Sequence, residues 1–422
     1  MKITVWGNEL PAWTSAAALA ESGNHIKIVT GLDHSGNKNE ISFKTSNEPG
    51  LQQCIDQAIL DGRLSSVTEE DGLSNSSHII SLNPDEYPLA EKIVCSLSKS
   101  LPNNLLIINQ SNFGVGSTDK LQTYLKEANN QVIAYLPDMA AEGSALKDFK
   151  QPQTLIIGCR NEWAMLNIKA LMRPFSQSLK QWMVMTSKEA EFTKFANTGM
   201  LALRLGYINE LANLADQLDV DIEVIREGMI TDPRIGHHYL HPGCGFGGLH
   251  FQQYIEGLSE LMEENRNSKL LDTVLVENEK QKEQPFRKLW RYYQCDLKSR
   301  TISIWGLSFK PGTASIDNAP SLKIIETLLA QGCSVKVHDP EAGQNIEQYF
   351  GEHPKLEVYD CCYDAIENSH GLLLLTEWPE YWSPEYEEML NRMHTPLIID
   401  GRNIFDKEML QSLGFTYYGV GR

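Results

Sequence analysis

The N-terminal third of the chain alternates between short apolar runs and amphipathic stretches. Lys2–Gly7 predicts a buried strand, the alanine-rich Pro11–Gly23 predicts a helix with proline near its start and glycine at its end, and His25–Val29 predicts a second strand. A strand, a helix and a strand in this order form a βαβ unit, which begins a doubly wound parallel sheet. Further strand candidates lie at Ile79–Ser81, Leu105–Asn109, Val132–Tyr135 and Leu155–Gly158.

A second pattern of the same kind begins near residue 300. Thr301–Gly306 predicts a strand, Ser321–Gln331 a helix and Ser334–His338 another strand. Leu372–Leu375 and Leu397–Ile399 are additional strand candidates. The sequence therefore predicts an α/β fold with one Rossmann-like, doubly wound parallel-sheet lobe at each end.

The middle of the chain has helical periodicity. Glu189–Leu218 contains no proline, and Leu270–Leu297 is interpreted as a second long helix broken only at Pro285. A helical block between two α/β lobes suits both a connector and a dimer surface. We therefore expect an N-terminal Rossmann-like domain over residues 1–185, a helical central and dimerisation domain over 186–298, and a C-terminal Rossmann-like domain over 299–422.

Charge and composition restrict the class of protein. The 422 residues have a formal net charge of -18, which argues against nucleic acid or an anionic membrane as the main partner. The N-terminus lacks the features of a secretory signal, and no apolar run is long enough to span a membrane. The eight Cys match neither a disulfide framework nor a zinc site, so a cytoplasmic protein without a metal is expected.

The first glycine-rich turn departs from the dinucleotide-binding fingerprint. Gly7 and Ala12 fit its first and third positions, but Glu9 occupies the second, where a small residue lets the backbone approach a pyrophosphate. The carboxylate of Glu9 would repel the negatively charged pyrophosphate. Like charges about 4 Å apart raise the free energy by about 4 kcal/mol at an effective dielectric constant of 20. The second strand ends at Thr30 instead of an acidic residue, and Asp33 follows three positions later. The turn therefore predicts a structural Rossmann lobe that binds no dinucleotide.

A set of segments further along the chain forms a more specific pattern. The segments, in chain order, are Lys194-Phe195-Ala196, Ile208-Asn209-Glu210, Asp232-Pro233-Arg234-Ile235-Gly236, Pro242-Gly243-Cys244-Gly245-Phe246-Gly247-Gly248, Gly306-Leu307-Ser308-Phe309-Lys310, Asp400-Gly401-Arg402-Asn403 and Gly414-Phe415-Thr416-Tyr417-Tyr418-Gly419. Over its whole length the chain resembles the UDP-glucose/GDP-mannose 6-dehydrogenase family, and most of all its bacterial UDP-glucose 6-dehydrogenases. The resemblance implies an NAD lobe, a helical dimerisation core and a UDP-binding lobe.

The resemblance also implies a reaction. Members of the family oxidise the primary alcohol of the sugar to a carboxylate in two hydride transfers to NAD, and a cysteine thiolate holds the intermediate as a thiohemiacetal and then a thioester. The nucleophile must both attach and leave, which suits a thiolate of low pKa. The family pattern G-[FY]-G-G-S-C-F-x-K-D appears here with His250 at the cysteine and Tyr254 at the aspartate. Cys244, six residues before His250, is interpreted as an incidental loop residue.

Other positions of the implied catalytic and cofactor sites are altered as well. Asn112 replaces a threonine, Thr198 replaces an asparagine, and Asp138 replaces the first of two glutamates, of which Glu142 is kept. Asp317 replaces an arginine that would contact NAD, which reverses the charge. These changes concentrate at the positions that the resemblance assigns to cofactor binding and to the catalytic steps.

Positions implied to contact the sugar nucleotide are largely retained. Lys194 matches a lysine that would steady the oxyanion and the sugar, and Arg234 matches an arginine that would reach the nucleotide sugar of a neighbouring subunit. The other matching positions are Tyr239, Leu240, Gly245, Phe246, Lys310 and Arg402. A guanidinium fork suits a phosphate or a sugar diol.

Four hypotheses follow. The first is a homologue without oxidation activity that keeps a UDP-sugar pocket and acts as a homodimer or with an active dehydrogenase paralogue. The second is an enzyme of altered chemistry, in which His250 acts as an acid or base on a sugar nucleotide. The third is an active NAD-dependent UDP-sugar 6-dehydrogenase that makes UDP-glucuronate from UDP-glucose, and the fourth is a structural protein.

Overall fold

The computed structural model describes residues 1–31, 48–138, 141–178 and 181–422. These residues form two compact units, Met1–Ala196 and Asn197–Arg422. The strands of the first unit are β1 Lys2–Trp6, β2 His25–Val29, β3 Leu64–Ser66, β4 Ser77–Ile80, β5 Leu105–Asn109, β6 Gln131–Tyr135, β7 Thr154–Gly158 and β8 Gln181–Met185. The helices up to the central region are α1 Leu10–Glu21, α2 Leu51–Leu60, α3 Glu69–Gly72, α4 Tyr87–Ser100, α5 Ser117–Gln122, α6 Ala145–Lys150, α7 Glu162–Met172 and α8 Ser187–Leu218.

The first unit is a Rossmann-like sheet in the order β3-β2-β1-β4-β5-β6-β7-β8. Apolar side chains alternate between its two faces, so that Val5 packs into one buried cluster and its neighbour Trp6 into the other. Helix α1 is buried over Ala12–Ala20, and its alanines let it lie close to the sheet. The sheet is parallel except between β6 and β7, where Tyr135 pairs with Gly158 antiparallel.

The second unit contains a parallel six-stranded sheet in the order β11-β10-β9-β12-β13-β14. Its strands are β9 Thr301–Trp305, β10 Ser334–His338, β11 Leu356–Val358, β12 Leu372–Leu374, β13 Leu397–Asp400 and β14 Thr416–Tyr418. The helices packed around this sheet are α13 Pro320–Ala330, α14 Gly343–Phe350, α15 Cys362–Ala365, α16 Tyr386–Arg392 and α17 Lys407–Ser412. The prediction of two Rossmann-like lobes with a helical central region is confirmed.

The central region contains helices α9 Ile222–Ile230, α10 Leu249–Arg266, α11 Leu270–Gln281 and α12 Gln284–Tyr292 in addition to α8. The helix predicted from Leu270 to Leu297 with a break at Pro285 is two helices that divide between Gln281 and Gln284, and the second ends at Tyr292, five residues earlier than predicted. Pro285 lies in the first turn of α12, where the missing N–H has no helical partner to lose. Among the described helices, none combines the length and apolar content that a bilayer crossing requires.

Candidate functional site

The turn between β1 and α1 keeps the backbone shape of a dinucleotide turn. Gly7 has a φ of 140°, and a Cβ there would lie 1.9 Å from the carbonyl oxygen of Ser81, so only glycine fits. That hypothetical Cβ would also lie 3.2 Å from the Cβ of Ala12, which shows how closely α1 approaches the turn. The strand, turn and helix therefore have the geometry that the sequence predicts.

The chemistry of this turn does not fit a pyrophosphate. Glu9 is the N-cap residue of α1, is exposed, and makes no capping hydrogen bond with its side chain. Its Oε1 accepts a long hydrogen bond of 3.5 Å from Nδ2 of Asn83, which follows β4. The N-terminus of a helix normally attracts a phosphate, but here a carboxylate is attached to that end. Thr30 lies half-buried directly after β2, and Asp33 lies outside the described residues.

Asn112 follows β5 on the same lobe. Its Oδ1 is buried, and among the described residues no donor reaches it. A buried carbonyl without a donor costs free energy, so the position is suited to a polar ligand or water.

Glu191 is a functional candidate that sequence reasoning missed. Its carboxylate is buried on α8 and accepts hydrogen bonds from Ser117 Oγ at 2.9 Å, from the Thr118 N–H at 2.8 Å and from the Gly116 N–H. These contacts hold the segment after β5 and cap α5. The sequence offers one signal for Glu191, because it lies three residues before Lys194 on the same helix. Its hydrogen-bond partners, however, are more than seventy residues away in the chain.

Lys194 and Asp138, two of the predicted site residues, are in contact. The ammonium of Lys194, on α8, donates to the backbone carbonyl of Asp138, which lies after β6. Burial lowers the pKa of Lys194, and the Asp138 carboxylate opposes that effect in part. Glu142 is half-buried four residues beyond Asp138. The first unit thus brings a cation and a carboxylate together near the carboxyl end of β6.

The glycine-rich loop of the second unit is held by carboxamides. Asn278 on α11 accepts a hydrogen bond from the Phe246 N–H at 2.9 Å and donates to the Phe246 carbonyl at 3.0 Å. Asn209 accepts from the Gly243 N–H at 2.9 Å, and Gln281 donates to the Gly243 carbonyl at 2.7 Å. These residues fix the buried loop that contains Gly245 and Phe246, and sequence reasoning assigned them no role.

His250 lies on the first turn of α10, directly after this loop. Its side chain is exposed, and Tyr254 follows one helical turn later. A thiol at this position would have its pKa lowered by the N-terminus of an 18-residue helix, which is the setting that thiolate chemistry needs. Thr198, on α8, is buried.

Cys244 does not replace the missing thiol. Its side chain is fully buried in the core of the C-terminal lobe, where its Sγ donates to the carbonyl of Leu375 at 3.7 Å. Burial raises the pKa of the thiol. All eight cysteines are free.

The glycine turn of the second lobe is occupied by the chain itself. The carboxylate of Asp339, after β10, accepts hydrogen bonds from the backbone N–H groups of Leu307 and Ser308 at 2.7 and 3.0 Å. Gly306 has a φ of 91°, and a Cβ there would lie 2.4 Å from the backbone nitrogen of Thr376. The N–H groups of this turn already donate to a carboxylate. A ligand phosphate would therefore have to bind elsewhere on this lobe.

Arg402 and Lys310 lie at the carboxyl end of that sheet. Arg402 Nε donates to the carbonyl of Leu375 at 2.7 Å and lies 3.1 Å from the Glu377 carboxylate. The turn that positions it is held by Asp400, which is buried and accepts from the Arg402 N–H at 2.9 Å. Lys310 is half-buried with its ammonium 5.5 Å from the centre of its neighbouring Phe309 ring.

Three further predicted contacts lie on the segment after α9. Arg234 is exposed, and its guanidinium holds the carboxylate of Asp232 at 2.6 to 3.1 Å. Tyr239 is exposed with a φ of 56°, while Leu240 is buried in a cluster with Ile208. Arg234 and Tyr239 therefore face away from the core of their own unit.

Asp317 is exposed on the loop before α13. Its Oδ2 accepts from Ser315 Oγ at 3.0 Å, and its backbone carbonyl accepts from the Gly248 N–H at 2.8 Å. The loop that contains Asp317 thus contacts the residue just before α10, close to His250.

Within the described ranges, no group of three or more His, Cys, Asp or Glu side chains is arranged to hold a metal ion.

Comparison with known proteins assigns the chain to a family. Models of the UDP-glucose/GDP-mannose dehydrogenase family match the NAD binding domain over residues 1–176, the central domain over 188–280 and the UDP binding domain over 303–407. The proposed boundaries at residues 185 and 298 stay a prediction.

The chain is also similar to individual proteins along its whole length. It is 31% identical to a UDP-glucose 6-dehydrogenase of Pseudomonas aeruginosa, with 100% of this chain and 98% of that protein covered. It is 30% identical to a UDP-glucose 6-dehydrogenase of Bacillus subtilis, with 100% and 93% covered.

Solved structures agree on the fold. A UDP-glucose dehydrogenase of Pyrobaculum islandicum superposes with a TM-score of 0.83 at 23% identity, covering 100% of this chain and 97% of that one. A UDP-D-ManNAc dehydrogenase of Pyrococcus horikoshii gives 0.82 at 23% identity, covering 100% and 99%. The three family matches and the full-length relatives show that this chain belongs to the UDP-glucose/GDP-mannose dehydrogenase family.

Proposed function

We propose that this protein is a nucleotide-sugar dehydrogenase homologue that binds a UDP-sugar and has lost NAD-dependent oxidation. The observation behind the proposal is that His250 lies on the first turn of α10, whereas the thiol of Cys244, in the loop before α10, is buried. Oxidation of an alcohol to an acid through a thioester needs an accessible sulfur atom that can attach and leave. An imidazole does not form that thioester.

The cofactor side supports the same proposal. Glu9 and Asp317 are exposed carboxylates at positions where the family would face the pyrophosphate of NAD. Each would repel a phosphate, and neither is neutralised by an ion pair with a lysine or arginine among the described residues. We therefore expect NAD to bind weakly or not at all, although the N-terminal domain matches an NAD binding domain.

The proposal that a UDP-sugar binds rests on the positions for the sugar nucleotide that the sequence retains. The match to a UDP binding domain, together with Lys194 and with Arg402 at the carboxyl end of the second sheet, supports a UDP-sugar ligand. Arg234 and Tyr239 face outwards, which suits a contact to the ligand of a second subunit.

A homodimer is part of the proposal. Helix α8 exposes a stripe of apolar side chains spaced seven residues apart, with Met200 at 58%, Tyr207 at 58% and Leu214 at 47% exposed. This spacing is that of a helix-to-helix seam, and a second copy of the chain would cover it. An active dehydrogenase paralogue with a similar helix is the other partner that this surface suits, and a regulatory role would follow from it.

The alternative is an active NAD-dependent UDP-sugar 6-dehydrogenase, which is supported by 31% identity to a UDP-glucose 6-dehydrogenase over the whole chain. Thermal unfolding with each ligand separates the possibilities, because a ligand that binds only the folded state raises the melting temperature. The proposal expects stabilisation by UDP-glucose and none by NAD. Stabilisation by both would favour the active enzyme, and by neither would favour a purely structural protein.

A further inference from the structure

Three basic side chains lie together at the amino ends of neighbouring strands in the second sheet. Arg300 comes directly before β9, His370 two residues before β12 and His394 three residues before β13. Strand β12 lies between β9 and β13 and is parallel to both, so the three residues lie along one edge of the sheet. Lys310 and Arg402 follow the carboxyl ends of β9 and β13. The three basic residues are therefore separate from the positions assigned to the sugar nucleotide.

The guanidinium of Arg300 is held against an aromatic ring. Its central carbon lies 3.8 Å from the centre of the Tyr293 ring, and its Nε donates to the carbonyl of Asp296 at 3.0 Å. The Tyr293 hydroxyl donates to the carbonyl of His370 at 2.5 Å, which fixes the ring in turn. Within the described part of the chain, neither Nη atom of Arg300 has an acceptor. The two Nη atoms therefore remain available to a ligand.

The two imidazoles form a stacked pair beside this guanidinium. The ring centres of His370 and His394 lie 4.4 Å apart, with an angle of 28° between the ring planes. His370 Nδ1 accepts from the Thr301 N–H at 3.2 Å, so its Nε2 carries the proton and is a donor. Burial lowers the pKa of His370, and the positive charges of His394 and Arg300 lower it further. The three side chains are therefore close enough for their charges to act on one another.

Acidic side chains do not neutralise this group, although the whole protein has a formal net charge of -18. Among the residues that the structure describes, Arg300, His370 and His394 form no ion pair with Asp or Glu. Asp296 gives Arg300 only its backbone carbonyl, and its Oδ1 accepts from the Lys298 N–H at 3.3 Å. A bound anion would supply acceptors to the unused donors and reduce the repulsion between the basic groups.

We propose that this edge of the sheet binds a phosphate group, as free phosphate or as a small phosphate monoester. The fork of Arg300 donates to two phosphate oxygens, and His370 Nε2 and the exposed imidazole of His394 donate to the remaining acceptor positions. His394 Nδ1 lies 3.2 Å from Thr395 Oγ1, which leaves Nε2 for the ligand. The inference goes beyond the proposed function and does not depend on it, because the sugar-nucleotide positions lie at the other end of the sheet.

Calorimetry with the full-length protein tests the proposal. Orthophosphate and glycerol 1-phosphate are titrated separately at about pH 7, with sodium chloride keeping the ionic strength constant. We expect at least one of them to bind with a dissociation constant of about 1 mM or lower, and an excess of UDP-glucose to leave that value unchanged. Tighter binding of the ester would identify a monoester as the source of the phosphate group, and tighter binding of orthophosphate would identify the free anion. No binding of either, or displacement by UDP-glucose, would overturn the proposal.

Variants locate the site. Arg300→Gln and His394→Ala are each expected to weaken phosphate binding about tenfold or more. Arg300→Lys keeps the charge but loses the fork, so it should recover little of the lost affinity. Arg266→Gln removes an exposed guanidinium at the end of α10 and, as the matched control, should leave the affinity unchanged.

Thermal unfolding checks that each variant is folded. His394 is exposed, so His394→Ala keeps the test available even where the Arg300 variants do not fold. Unchanged affinity in His394→Ala would overturn the proposal. A loss in Arg266→Gln as large as that in His394→Ala would show nonspecific attraction and would overturn it as well.

Discussion

The carboxamide of Asn278 holds both polar backbone groups of Phe246, accepting from its N–H at 2.9 Å and donating to its carbonyl at 3.0 Å. The two residues are 32 positions apart, and both are buried. The loop before α10 therefore depends on one side chain of α11 for its shape. Because this loop leads into His250, Asn278 also determines where the first turn of α10 begins.

Replacement of Asn278 by alanine is expected to destabilise the protein. The change leaves the buried N–H and C=O of Phe246 without partners, each at about 1–3 kcal/mol, so the free energy of unfolding should fall by about 2–6 kcal/mol. Urea denaturation measures the change. Lys280→Ala on the same helix removes an exposed ion pair with Glu277 and should change stability by less than about 1 kcal/mol. Similar losses in the two variants would contradict the role given to Asn278.

Much of the fold could be predicted from periodicity, because the buried strands β1, β5 and β10 are continuous apolar or β-branched runs. Short strands at or near the sheet edges, such as β3 and β14, bury few residues and gave little signal. Helix α10 was missed because its start follows a run of glycines with no capping side chain.

The site was predictable only as a set of matching positions. The sequence places His250, Glu9 and Asp317 at altered positions, but it cannot show that Cys244 is buried or that Asp339 fills the second glycine turn. Both facts depend on contacts between segments far apart in the chain.

The charge of Glu9 leads to a prediction about NAD. The dissociation constant for NAD should be above about 1 mM, and the double variant Glu9→Gly with Asp317→Arg should lower it about tenfold or more, because two repulsive charges are removed and one attractive charge is added. Calorimetry measures both proteins. Glu127→Gln, shortly before β6, is a control that removes an exposed carboxylate elsewhere on the N-terminal lobe. Low-micromolar NAD binding by the unmodified protein would show that the charge argument is wrong.

The burial of Cys244 predicts low reactivity. Burial raises the pKa of its thiol, so the reactive thiolate appears only at a pH above the ordinary range of a cysteine and is scarce at about pH 8. Exposed Cys295 and Cys361 should react with iodoacetamide at that pH, and Cys244 should not. Mass spectrometry of the alkylated native protein distinguishes them. Modification of Cys244 at the rate of Cys361 would return it to the candidates for a nucleophile.

The apolar stripe on α8 predicts a dimer that one charge can disrupt. Tyr207→Glu places a carboxylate at the centre of the stripe and should convert the dimer to a monomer, since burying an unpaired charge costs several kcal/mol. Light scattering after size-exclusion chromatography reports the mass. Glu227→Gln changes an exposed residue of α9, outside the stripe, and should leave the dimer intact. A monomeric unmodified protein would remove the basis for this surface.

The replacement at His250 predicts that the purified protein produces no UDP-glucuronate and no NADH from UDP-glucose and NAD. Restoring the thiol by His250→Cys should not recover activity by itself, because Asn112, Thr198 and Tyr254 still occupy altered positions and Glu9 still opposes the cofactor. Groups that act as a unit are strongly non-additive, so one reversion recovers little. The measurement is NADH absorbance at several pH values, with protein free of host dehydrogenases, and with His237→Cys as a control for an exposed thiol placed elsewhere. Two equivalents of NADH per UDP-glucose from the unmodified protein would establish an active enzyme, and the role of His250 would then have to be chemical.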